Sequence, residues 1–409
     1  MLATAAKPFY IDPQTHAFQH DTIHLKRKSS NGLEYEFKPS IVSLAREHLL
    51  EPFASVIEED KPLTPRTFLD SKGNPIGKVI EGVCKNIVDF QLNFLRESID
   101  DETRDMIGDL SFLSPEFVVA PYFYLTPNAW KEWLKINLAF YSEAKAKYSS
   151  SKIFLALILP GMMLDSVPEI ARTIKEIKIP VDGILLWIDS HEEENLSTSE
   201  CKEYIVFLRS LKSLTSEVVN IHGGYLSELL CHKDAEYLLT GFGHSVNYGE
   251  HREVVPVGGG LPQARFYLMK AHSRLKYADA ARIVISKGWL ESKKTFNDKV
   301  CRCLKCESLI KEYGSAEGAF NAYGDSKVTV VPVKGTIRRF EYPTAGAKEA
   351  GIRHYLYNKA EEIKRINEQP LRELLDELEV DYKEISSVTY GALINHLKVW
   401  REAVKSVMK

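Results

Sequence analysis

The sequence predicts an α/β fold, a TIM (β/α)8-type barrel followed by a cysteine-bearing insertion and a helical C-terminal extension. Two observations carry this. Continuous apolar runs recur at intervals of about 30 residues, each followed by a helical pattern, as expected of parallel strands covered on both faces. Each run also ends in Pro, Gly, Asp or His, the polar strand ends at which such folds display chemistry. A doubly wound open sheet is the competing architecture. No Gly-rich phosphate-binding fingerprint opens any of the helices, so a nucleotide cofactor in such a sheet has no support.

Taken in order, residues 1–40 read as an irregular arm carrying His16, His20, His24 and the basic run Lys26-Arg27-Lys28. The barrel is expected over 41–295. Ile41, Leu44, Ala45, Leu49, Phe53 and Val56 have helical spacing. Residues 64–70 read as a short strand ending at Asp70 in a turn of Ser, Gly, Asn and Pro. Asp70 there either displays a carboxylate at a strand end or organises its own turn. Further strands are expected at 117–123, 153–161, 181–189, 218–224 and 236–244, with helices over 130–147, 167–177, about 197–214 and 225–231. These put Asp189, His222, Gly223, Gly224 and His244 at strand ends, and Glu250 in the Gly-rich loop that follows. Past residue 296, Val328–Lys334 reads as a strand, and Lys334, Arg338 and Arg339 form a local basic patch. From 347 the chain is helical, with Pro370 opening a new helix.

Cys301, Cys303 and Cys306 form a C-x-C-x-x-C cluster in a chain with only six cysteines. Three thiolates need one further ligand to close a four-coordinate structural zinc site, and His354, at the opening of a helix, is the first histidine downstream. The other reading is three unrelated thiols. Residues 296–360 are therefore expected to be a zinc-binding region, and 361–409 a helical extension.

A hydrophobic share of 44% and a charged share of 27% suit a globular chain with a real core. A net charge of -3 excludes a polycation that coats nucleic acid, so any such contact must be local. The remaining cysteines, Cys84, Cys201 and Cys231, are too scattered for a disulfide framework, which points to a reducing cytoplasm. No apolar run suggests a signal peptide or a membrane span.

With these residues in view, the order of features resembles the tRNA-guanine transglycosylase superfamily, including its DNA 7-deazaguanine members. There a barrel is followed by a C-x-C-x-x-C cluster completed by a histidine that begins a late helix, and Cys301, Cys303, Cys306 and His354 match those positions. The gap between Cys306 and His354 is longer than the family's, with residues 312–346 reading as inserted. Asp70-Ser71-Lys72-Gly73 is similar to the family's Asp-Ser-Gly-Gly turn, which implies that Asp70 contacts the base and manages protons. The resemblance implies a structural Zn2+, a tRNA or DNA partner, and exchange of guanine or a 7-deazaguanine base. A homodimer and a heterodimer are both open.

The chain departs from the family in two places. Pro160-Gly161 stands where the family has Gln-Gly-Gly, and Tyr237-Leu238-Leu239-Thr240 lacks the nucleophilic aspartate of the last strand. Base exchange needs a carboxylate to attack the sugar C1′ and a second group to handle protons. Asp189 is the first candidate replacement and Glu250 the second, with Asp189 as a helix N-cap or loop acid the alternative reading. His222 and His244, with Gly223 and Gly224, are expected to touch the base. Besides an enzyme, the sequence allows a non-catalytic nucleic-acid-binding subunit that supports an active partner. A metal-dependent hydrolase would want an H-x-H pair, which is absent.

Overall fold

The computed structural model describes residues 8–29, 34–108, 110–243, 252–255, 263–333, 336–388 and 393–408. The chain divides into two compact units: residues 1–190, 207–221 and 253–256, and residues 191–206, 222–252 and 257–409. The fold is mixed α/β with a five-stranded parallel sheet in chain order: β3 (Val118–Val119), β4 (Ile153–Pro160), β5 (Gly183–Asp189), β6 (Val218–Asn220) and β7 (Gly241–Phe242). Two short strands precede it, β1 (Lys26–Lys28) and β2 (Tyr35–Phe37), paired antiparallel. Among the described residues no helix is long and apolar enough to cross a membrane.

In the first unit β4 and β5 are apolar and buried along almost their whole length, because both faces of the sheet are covered. Their register runs from Phe154 opposite Gly183 to Pro160 opposite Asp189. Gly183 is required there, since a Cβ would lie 2.3 Å from the Phe154 ring, itself stacked on Phe117 at 3.9 Å. Phe154, Ala156 and Ile158 join Leu185 and Trp187 in one buried cluster with Val119, Tyr122, Tyr124 and Val254. Strand alternation places Asp189 next in the row of Leu185 and Trp187, so the carboxylate tops that core face. Helices α1 (Gly77–Glu97) and α2 (Trp130–Lys147) pack against each other in this unit.

The strand expected at 117–123 shortens to Val118–Val119, although the chain keeps bonding to β4 as far as Leu125 N–H to the Ile158 carbonyl, 2.8 Å. Side chains occupy its other edge. Gln91 on α1 donates to the Val119 carbonyl at 2.8 Å and accepts from its N–H at 2.9 Å. Asn137 on α2 does the same for Phe123, both at 2.8 Å. Gln19 of the N-terminal arm serves Tyr124 likewise, at 3.0 and 2.7 Å. Amides on helices and arm thus satisfy a strand edge, as buried backbone demands.

Three expectations change. Residues 64–70 do not form a strand; Thr64 caps a short turn, Pro65–Thr67, and Leu69 makes one isolated bridge to Pro75. The helix expected from 40 to 58 breaks at Leu50, φ 55°, before a new helix at Phe53–Glu59; Pro52 supplies no N–H and disfavours helix at the preceding residue. The strand expected at 236–244 shrinks to Gly241–Phe242, because Glu236 and Tyr237 take left-handed φ values of 62° and 48°.

In the second unit β8 (Arg265–Leu268) pairs with β9 (Ser273–Lys276). Helix α3 (Leu304–Tyr313) begins inside the cysteine cluster, and the expected strand at 328–334 is half of a hairpin, β10 (Ser326–Val333) with β11 (Thr336–Pro343). Helices α4 (Ala345–Glu368), α5 (Leu371–Ser386) and α6 (Asn395–Lys405) follow, with Pro370 as the N-cap of α5. Leu371, Leu374, Leu375, Leu378 and Ile385 form the buried stripe of α5, which packs on α6.

Candidate metal centre and strand-end site

Cys301, Cys303, Cys306 and His354 are all buried, and their ligand atoms lie within 4.8 Å of one another. The local fold brings them together for identifiable reasons. Cys303 is the N-cap of α3 and its sulfur accepts from the Cys306 N–H at 3.3 Å, while the Cys301 sulfur accepts from the Cys303 N–H at 3.2 Å. These bonds wrap the loop around a common centre. Helix α4 comes close because Gly351 has no side chain; a Cβ there would lie 3.2 Å from the Arg265 carbonyl. One turn later His354 bonds through Nε2 to the Tyr267 carbonyl at 2.7 Å, which leaves Nδ1 facing Cys306 at 3.5 Å and Cys303 at 3.7 Å. A backbone carbonyl on the far nitrogen is how a ligating imidazole is held in one tautomer.

Phe266 stacks on His354 at 4.2 Å, and Asn358 and the Tyr323 hydroxyl contact the Cys301 and Cys306 sulfurs at 3.5 and 3.1 Å. Hydrogen bonds from Cys303 and Cys306 hold the Cys301 thiol far below its ordinary range. Burial pushes His354 down, but Cys301 and Cys303 outweigh it and raise the imidazole to about 9. The same neighbours raise the Cys306 thiol, so the close sulfurs share their charge unevenly. The four groups are placed to hold a metal ion, and sulfur-to-nitrogen spacings near 3.6 Å suit the edges of a tetrahedron with bonds of about 2.0–2.3 Å.

A second group of residues gathers at the C-terminal end of β5. Asp189 accepts at Oδ2 from the Tyr124 hydroxyl, 3.2 Å, and at Oδ1 from the Val254 N–H, 2.8 Å. Burial first, and then Asp189, push the Tyr124 hydroxyl well above its usual range, so it stays a donor. The arm adds His20, whose ring centre lies 5.8 Å from that of Tyr124. Burial holds His20 down at about 4, helped by His24 and opposed by Asp189, and its Nε2 is buried with no hydrogen-bond partner among the described residues. His16 stacks on Tyr122 at 5.4 Å and meets Trp187 edge-on at 5.3 Å. Gln19 and Thr15 fix this arm segment by bonding the backbone of Tyr124 and Tyr122. The result is a carboxylate with two donors, a neutral imidazole and an aromatic wall.

Asp70 shares no hydrogen bond with this group. It is exposed, and its Oδ1 accepts from the N–H groups of Lys72 and Asn74, both at 2.8 Å; the Asn74 bond is the chief reason its carboxyl sits below the usual range. Gly73, φ 74°, and Lys135, donating to the Gly73 carbonyl at 2.6 Å, complete a turn built around that carboxylate. In the second unit the Gly223 N–H, directly after the half-buried His222, donates to the Gly243 carbonyl at 2.9 Å, and Gly224 is the N-cap of the short helix Tyr225–Leu230. His244 and Glu250 lie outside the described residues. Sequence reasoning singled out Asp189 but missed Tyr124, Val254 and the engagement of His20; a histidine triplet in an arm was the available signal. No protein-family model, curated protein or solved structure matches the chain, so its functional reading rests on the chain's own residues.

Proposed function

We propose that the protein is a transglycosylase-type enzyme that exchanges a guanine or 7-deazaguanine base in a nucleic acid. We read the parallel sheet as part of a barrel-type α/β fold and the ion at Cys301, Cys303, Cys306 and His354 as zinc. With four protein ligands no position is left for water, so the zinc would clasp the second unit and take no part in chemistry. The observation that carries the reading is Asp189, a carboxylate at a parallel strand end, aimed by Tyr124 and the Val254 N–H beside a half-buried His20 whose Nε2 is enclosed.

In this scheme an oxygen of Asp189 bonds to the sugar C1′ as the bond from C1′ to the ring nitrogen breaks, and the electron pair leaves with the old base. The departing base takes up a proton and the incoming base gives one up, so a full exchange is proton-neutral. The incoming nitrogen then displaces the carboxylate and restores it. Tyr124 and Val254 fix the direction of attack, and His20, uncharged at neutral pH, offers a hydrogen bond to a ring edge. Asp70 serves its own turn. The test is incorporation of labelled guanine or 7-deazaguanine into tRNA or duplex DNA by the metal-loaded protein.

A second reading is a non-catalytic nucleic-acid-binding subunit. The left-handed turn at Glu236 and Tyr237, with no carboxylate through Leu238, Leu239 and Thr240, favours it. In that case the same assay yields binding without incorporation.

A further inference from the structure

Hairpin β10–β11 is a ribbon of eight residues per strand, about 26 Å long at the usual rise. Its register puts Val328, Val330, Ile337, Arg339 and Glu341 on one face, and Lys327, Arg338, Thr329, Phe340 and Tyr342 on the other. On the first face Val328, Val330 and Ile337 are 61%, 55% and 73% exposed. Lys327, Arg338 and Arg339 are exposed too, and none is ion-paired with a described carboxylate. Residues 326–343 contain Lys327, Lys334, Arg338 and Arg339 against Glu341, a local charge of +3 in a chain whose total is -3.

We infer that this ribbon is a docking arm for duplex DNA, entering its major groove; the inference rests on the nucleic-acid reading above and names the form of the partner. A two-stranded ribbon on its own is marginal in water, and exposed valine and isoleucine beside Arg339 on one face, with Lys327 and Arg338 on the other, suit a groove better than solvent. Two strands about 4.8 Å apart, with their side chains, match the B-form major groove of about 12 Å, where apolar groups meet thymine methyls and cations meet phosphates. The major groove of an RNA duplex is too deep and narrow for the same fit. A protein adding a strand to the ribbon edge would have no use for the three cations.

The test measures binding of the full-length, metal-loaded protein to a 20-base-pair DNA duplex and to the RNA duplex of the same sequence between 50 and 200 mM salt. DNA should bind more tightly than RNA. In Lys327→Ala/Arg338→Ala/Arg339→Ala, affinity for DNA should fall at least tenfold. The slope of log affinity against log salt should flatten by about 2.7, three contacts at about 0.9 each. Arg338→Lys/Arg339→Lys should keep the slope. Arg339→Ala alone should flatten it by about 0.9, which preserves the test if the triple variant fails to fold. Wild-type binding to DNA with an unchanged slope in the variants overturns the docking arm and leaves base exchange standing, and tighter binding to RNA overturns the choice of DNA. Binding to neither duplex overturns the arm, while incorporation into tRNA or duplex DNA decides base exchange separately.

Discussion

The Tyr124 hydroxyl donates to Oδ2 of Asp189 at 3.2 Å, tying the chain that runs out of β3 to the end of β5. With the Val254 N–H on Oδ1, both carboxylate oxygens are oriented while lone pairs remain for a reacting carbon. Asp189→Asn keeps the shape and loses the nucleophile. Base incorporation should fall by at least about 10³-fold with little change in melting temperature. Asp70→Asn, altering only a surface turn, should leave incorporation within a few-fold of wild type. Retained incorporation in Asp189→Asn would remove that residue from the chemistry.

The cysteine cluster makes a separate prediction. The protein should carry one equivalent of zinc by elemental analysis, and Cys303→Ser or His354→Ala should lose most of it. Because the ligands come from the loop before α3, from its first turn and from α4, metal loss should loosen the region from Cys301 to His354, visible as faster amide exchange there and a lower melting temperature. A wild-type protein that folds identically with and without a strong chelator would contradict the structural role.

The Cys3His cluster was legible in the sequence because its residues are chemically rare and closely spaced, so Cys301, Cys303 and Cys306 announce themselves even though His354 lies 48 residues on. The apolar runs of β4 and β5 were legible for a similar reason, since full burial on both faces leaves no polar alternation. What escaped was set by side chains that substitute for backbone. Gln91 and Asn137 sit in helices whose apolar stripes are read without them, yet they satisfy Val119 and Phe123. Asp70 left two readings open, because a strand end and a self-capped turn share the same residue types. His20 takes its meaning only from the approach of the arm to Tyr124 and Asp189.

Acid should weaken the metal-loaded protein in a definite window. His396 is buried and bonded to the Ala271 carbonyl at 2.8 Å, and burial holds it at about 4. A depressed histidine folds neutral, so its contribution is whole above the unfolded value near 6.5 and is lost as pH falls from there to about 4, up to about 3 kcal/mol. His20 acts in the same direction. Glu362, held at about 2 against the pull of burial by Lys359, His272 and Tyr267, extends the loss from about 4.5 downward. Denaturant midpoints from pH 7.5 to 4 should decline, and His396→Asn should flatten the upper part of that decline.

Gly183→Ala tests the register of β4 and β5. The new methyl would sit 2.3 Å from the Phe154 ring, whose movement is limited by its stacking on Phe117 at 3.9 Å. Overpacking of this kind costs about 1–3 kcal/mol. The denaturant midpoint should fall accordingly, and Phe154→Leu combined with Gly183→Ala should recover part of the loss. Independent, additive losses would mean that the two positions do not meet.

Gln91→Leu tests whether side-chain amides complete the sheet edge. Leucine nearly conserves volume and fits the apolar face of α1, so packing alone predicts a neutral or stabilising change. The structure predicts the reverse. Both polar ends of the Gln91 amide are engaged with Val119, at 2.8 and 2.9 Å, and the substitution strands a buried N–H and a buried C=O. Each stranded group costs about 1–3 kcal/mol, well above the gain from burying a few methyl carbons. Equilibrium unfolding should show a loss of at least about 2 kcal/mol, and the Val119 amide should exchange faster than its neighbour in β4, Phe154. A stable Gln91→Leu protein with a protected Val119 amide would mean that another group pairs with this edge.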